Sequence, residues 1–175
     1  VGLEESGRIA RIRIHPRDPG TVYVAALGHL YGPQEEKGVF RTRDGGATWE
    51  RVLFTDPMTG PSDLWMDPAD PDHLIAGMWT MRIRTWGRWS GGPNGGLYET
   101  RDGGDTWTRL QGNGLPEGTT GRVGLAGSPA DPGRIYALIE TNVNRDFEPL
   151  DEHDGTLWRS DDGGSTWEMV NADHT

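Results

Sequence analysis

Thr42-Arg43-Asp44-Gly45-Gly46-Ala47-Thr48-Trp49 is written twice more in this chain. It recurs as Thr100-Arg101-Asp102-Gly103-Gly104-Asp105-Thr106-Trp107 and as Ser160-Asp161-Asp162-Gly163-Gly164-Ser165-Thr166-Trp167. The common form is Ser/Thr-x-Asp-Gly-Gly-x-Thr-Trp. Its spacing is nearly constant, with 58 positions from Asp44 to Asp102 and 60 from Asp102 to Asp162. A second phrase keeps step with it: Pro16-Arg17-Asp18-Pro19, Pro68-Ala69-Asp70-Pro71 and Pro129-Ala130-Asp131-Pro132. Two turn signals in fixed order and near-fixed period mark a repeat architecture.

Short runs rich in β-branched and aromatic residues lie between the turns, as strands require. In the first unit they fall at 8–14, 21–27, 38–42 and 48–53. In the second they fall at 63–66, 73–79, 96–100 and 106–110, and in the third at 122–127, 134–140, 155–160 and 166–170. Ile12, Ile14, Val22 and Val24 alternate with polar or smaller residues, the period of a half-buried strand. No stretch carries a helical period. Each unit therefore reads as four strands, A to D, in one antiparallel sheet. Pro-x-Asp-Pro joins A to B, because proline presets φ and donates nothing to a ladder. The Asp-Gly-Gly phrase joins C to D. Its glycines supply positive φ, and its Asp and Ser/Thr side chains accept or make turn hydrogen bonds. The closing Trp starts strand D and carries apolar surface to bury against a neighbouring sheet.

These residues resemble the Asp-box, or bacterial neuraminidase repeat, of β-propeller proteins, and all three copies match its pattern. Such repeats occur in sialidases, xyloglucan-cleaving glycosidases, sortilin-type receptor propellers and photosystem assembly factors. The segments 12–16, 23–33 and 90–93 make the chain most similar to the sortilin-like propellers of bacterial secreted proteins, often labelled glycosyl hydrolases. The fold expected is all-β: three consecutive four-stranded blades of a partial propeller, at about 8–54, 62–111 and 121–171. A propeller has about 4 to 8 blades, and three do not close a ring. The expected partners are therefore the remaining blades of a larger propeller, together with a peptide, protein or glycan ligand. The resemblance also implies an extracytoplasmic protein, secreted or periplasmic.

Composition narrows the chemistry. A net charge of −10 argues against nucleic acid, which needs a basic face. With no cysteine there is no disulfide, zinc-thiolate or thiol nucleophile. Lys37 is the one lysine among seventeen basic residues. No membrane span is expected in this segment, and no cofactor or metal is assigned.

In a four-stranded blade the A–B and C–D connections emerge on one face of the disc, and B–C and D–A on the other. Both repeated phrases thus share one face. Asp44, Asp102 and Asp162 read as structural turn residues there, each followed by its Trp (Trp49, Trp107, Trp167). The B–C connections at 28–37, 80–95 and 141–154 do not repeat. Variable loops on a rigid scaffold are where binding concentrates.

The first such loop offers His29 and Tyr31 as ligand contacts. His29 reads either as a loop anchor or as a base, and the adjacent Glu35 and Glu36 as a solvated surface or an acid/base pair. The second offers Arg82, Arg84, Trp86, Arg88 and Trp89. Tryptophan faces stack on sugars and arginines take carboxylates bidentately. The alternative is Trp/Arg stacking that stiffens the loop. The third is acidic. Asp146, Glu148 and Asp151 are its catalytic candidates, since glycosidases need a carboxyl pair; the alternative is a solvated loop, and its spacing does not match an EF-hand. Two functions are expected: a binding or scaffold module, and, as the alternative, part of a sialidase- or xyloglucanase-like glycoside hydrolase acting on the B–C face.

Overall fold

The computed structural model describes residues 2–141 and 156–170. The first sheet is built from β1 (Ile9–Ile14), β2 (Val22–Ala26), β3 (Gly38–Thr42) and β4 (Glu50–Leu53), in chain order and antiparallel throughout. The second runs β5 (Thr59–Met66), β6 (Leu74–Arg84), β8 (Gly96–Thr100), β9 (Thr108–Arg109), with β7 (Gly87–Ser90) paired to the far end of β6. The third runs β10 (Val123–Ser128), β11 (Asp131–Ile139), β12 (Thr156–Ser160), β13 (Glu168–Met169). No helix occurs among the described residues. The fold is that of three consecutive blades of a β-propeller.

The sheets stack face to face in sequence order. Odd-numbered residues of β6 turn to the third sheet: Ile75 joins Val123, Leu125, Ile135, Ala137, Ile139, Trp158 and Trp167 in one buried cluster. Even-numbered ones turn to the first: Leu74, Ala76 and Met78 join Tyr23, Ala25, Val39 and Leu53. Period-two alternation places a residue on each face, so the middle sheet is buried on both sides. Gly77 marks a close approach of the second and third sheets, because a Cβ there would lie 2.6 Å from that of Val123.

The first strands of the three blades are joined by polar groups. Asp63, only 5% exposed, accepts from Arg11 Nε at 2.7 Å and from the Leu125 amide at 2.9 Å, linking all three blades. Ser62 Oγ donates to the Val123 carbonyl at 2.7 Å. The outer faces of the stack carry exposed apolar side chains: Ile12 and Ile14 on β1 and Leu138 on β11.

Candidate functional site

The three Asp-Gly-Gly hairpins are near copies in geometry as well as sequence. In the first, Thr42 Oγ1 donates to Asp44 Oδ1 at 2.7 Å and accepts from the Gly46 amide at 2.9 Å. Thr48 donates its amide to Asp44 Oδ1 at 2.9 Å and its hydroxyl to Oδ2 at 2.6 Å. Asp102 and Asp162 repeat the set. The paired glycines hold φ of 70° and 92°, 68° and 94°, and 69° and 91°. The Thr48 hydroxyl, the Thr48 amide and the Thr42 hydroxyl hold Asp44 down to about 2. Equivalent bonds, led by Thr166, hold Asp162 at about 2, and Asp102 is also depressed, with Thr106 the largest cause. Carboxylates so committed are turn staples.

The hairpins share a face with the Pro-x-Asp-Pro turns. The amides of Gly45, Gly103 and Gly163 each donate at 2.9 Å to the carbonyl just after the proline phrase, at Gly20, Asp72 and Gly133. Each Trp lies immediately ahead of strand D rather than inside it. Trp107 packs against the first blade's cluster and Trp167 against the second blade's. Trp49, on the outermost blade, lies under Gly2, where a Cβ would stand 2.8 Å from its ring.

The opposite face is dominated by a hairpin. The 80–95 stretch, expected as a loop, continues β6 to Arg84, turns at Thr85 and Trp86, and returns as β7. Arg82 stands opposite Trp89, Ile83 opposite Arg88, and Arg84 opposite Gly87. The register therefore separates the three arginines, with Arg82 and Arg84 on one side and Arg88 on the other. Trp86 is 72% exposed at the tip.

Toward the first blade, Arg82 and Trp89 line a cleft of about 380 Å³ with Asp56, Met58, Thr80, Pro93 and Asn94. Asp56 accepts from the Met58 amide at 2.6 Å, Thr59 Oγ1 at 2.7 Å and Asn94 Nδ2 at 2.8 Å. Burial works to raise its pKa, but these bonds outweigh it and hold the carboxyl below its ordinary value. Toward the third blade, Trp79, Arg88, Arg122, Leu138 and Glu140 line a second cleft of about 440 Å³. There Trp79 Nε1 donates to Ser90 Oγ at 2.8 Å, and Ser90 Oγ donates to Glu140 Oε2 at 2.5 Å. The Arg122 amide also reaches Glu140 Oε2 at 2.9 Å, and its guanidinium lies 5.9 Å from the Trp79 ring.

The first B–C loop is organised by Gln34, not by His29. Gln34 is buried, takes the His29 amide at 2.5 Å and donates to the Glu5 carbonyl. His29 is exposed, and Tyr31 is 68% exposed on the same loop. Glu35 and Glu36 are exposed. Lys37 is 1% exposed and donates to the Met58 carbonyl at 3.4 Å. Burial lowers its pKa, against the opposing charge of Asp56.

Asp146, Glu148 and Asp151 lie outside the described residues. Asp56, Asn94, Arg122 and Glu140 are not singled out by the sequence, since each belongs to the site only through pairing between distant segments. Among the described residues no group of acidic or histidine side chains has the arrangement of a metal site. No helix among them is long and apolar enough to cross a membrane.

No family model matches the chain. It is 29% identical over 135 residues to a xyloglucanase of Hypocrea jecorina (strain QM6a), covering 77% of this chain and 14% of that protein. It is 28% identical over 165 residues to a xyloglucanase of a Paenibacillus species, covering 87% of this chain and 14% of that one. This chain thus spans a small part of either relative. Among solved structures it superposes on an ancestral GH74 enzyme with a TM-score of 0.65 and 16% identity, over 93% of this chain and 18% of that one. On YCF48 bound to D1 peptide the TM-score is 0.54 with 14% identity, over 97% and 41% of the respective chains. These likenesses agree with the propeller architecture and set the chain beside glycoside hydrolase propellers.

Proposed function

We propose that this chain is a propeller segment of a secreted glycoside hydrolase of xyloglucanase type, and that its part is to hold the polysaccharide. The observation that carries this reading is the β6–β7 hairpin. It raises Trp86 clear of the surface and sets Trp89 beside Arg82, Thr80 and Asn94 in one cleft on the non-repeating face. Tryptophan offers an apolar face to a sugar ring, and the neighbouring polar groups offer hydroxyl contacts. Asp56, the carboxylate in that cleft, is committed to three donors and stays ionised, so it is no proton donor to a leaving group. Likeness to two xyloglucanases supports xyloglucan as the substrate class. The exposed apolar outer faces are those on which further blades would stack.

The test uses the full-length parent. It should turn over xyloglucan, and Trp89→Ala should raise KM about tenfold with a smaller effect on kcat, as expected when a binding anchor is truncated. Loss of turnover in Asp146→Asn, Glu148→Gln or Asp151→Asn would instead bring the bond-cleaving chemistry into this segment. The second reading is a sortilin-like Asp-box module that binds a peptide or protein. The likeness to a propeller whose structure holds a peptide favours it. A parent that neither cleaves nor binds xyloglucan, yet retains an extended peptide, would favour that second reading.

A further inference from the structure

We infer a second ligand site on the other side of the same hairpin, for a saccharide bearing a uronate carboxylate. The starting point is the charge pairing of an acidic chain. Arg11, Arg41, Arg43, Arg101, Arg134 and Arg159 each meet a carboxylate within 3.4 Å. Arg88 and Arg122 are among the described arginines that meet none, and what sets them apart is that they line one cleft from two different blades. A guanidinium presents donors in a rigid fork matched to a carboxylate.

The rest of the cleft completes the fit. Glu140 is fixed through Oε2 by the Ser90 hydroxyl and the Arg122 amide, which leaves Oε1 without a partner among the described residues. That oxygen is an acceptor for a sugar hydroxyl. Trp79 backs the Arg122 guanidinium at 5.9 Å. Two guanidinium groups against one carboxylate leave one net positive charge, the complement of a single uronate. The cleft's volume of about 440 Å³ is that of a small-ligand site. A neutral glucan ring satisfies neither arginine. The inference is independent of the xyloglucan reading, which concerns the cleft of Arg82 and Trp89.

Calorimetric titration of the full-length protein decides it, with tri-galacturonate, a neutral cello-oligosaccharide of equal length and an acidic peptide as ligands. Tri-galacturonate should bind the wild type, and the affinity should fall at least tenfold in Arg88→Gln and again in Arg122→Gln, with Arg17→Gln, at an exposed turn on the repeating face, unchanged. Arg88→Lys should recover part of the loss. Arg88 is itself exposed, so its variants decide the matter even where Arg122→Gln fails to fold. No binding of tri-galacturonate, an unchanged affinity in Arg88→Gln, or tighter binding of the acidic peptide than of the uronate would each overturn the proposal.

Discussion

Asp44 illustrates how one carboxylate becomes structural. Its oxygens are taken by two hydroxyls and an amide, and its pKa falls from 3.8 to about 2. A depressed carboxylate stabilises the fold fully above its unfolded value, and that contribution is lost as pH falls through the folded value. The three staples should therefore leave thermal stability level above about pH 5 and make it fall between about pH 4 and 2. Asp44→Asn should lower Tm at pH 7 and shallow that acid slope, both readable by circular dichroism. Asp63 is a different case, since it is buried and joins three blades. Asp63→Ala leaves the Leu125 amide without its acceptor and should cost about 1–3 kcal/mol in chemical denaturation.

Among the strands, the hairpin is where structure and sequence part. The four strands of each blade were legible, because turn residues bracket every run. The stretch 80–95 reads as the B–C connection, because its arginines and tryptophans fit a ligand-binding loop or a loop stiffened by Trp/Arg stacking. The alternation Trp79-Thr80-Met81-Arg82-Ile83-Arg84 was the signal, since it continues the period of β6 without interruption. The clefts on either side were not legible at all. Glu140 meets Ser90, and Asn94 meets Asp56, across separations that no local pattern encodes. The hairpin's geometry separates binding from stability. Trp86→Ala, at the exposed tip, should leave Tm within about a degree of wild type, because isolated surface changes cost little. It should nonetheless weaken polysaccharide retention in affinity electrophoresis.

For the molecule as a whole, the stack is held by close approach and left open at its ends. Gly77→Ala would press a methyl into Val123 where two blades meet. Overpacking of that kind costs about 1–3 kcal/mol, and urea denaturation should report it. Ile12, Ile14 and Leu138 present apolar surface outward on the two end sheets. Exposed patches of this sort drive association. The 175-residue segment alone should elute from a sizing column as an associated species, and Ile12→Glu with Ile14→Lys should shift it toward the monomer.

The amide bonds from Gly45, Gly103 and Gly163 back to their own proline turns each close within a single blade. Local closure of this kind keeps contact order low, and low contact order speeds folding. A ribosome releasing this chain from the N-terminus would thus deliver one finished sheet at a time, each a template for the next. Misfolding should be confined to the joints between blades rather than spread through them.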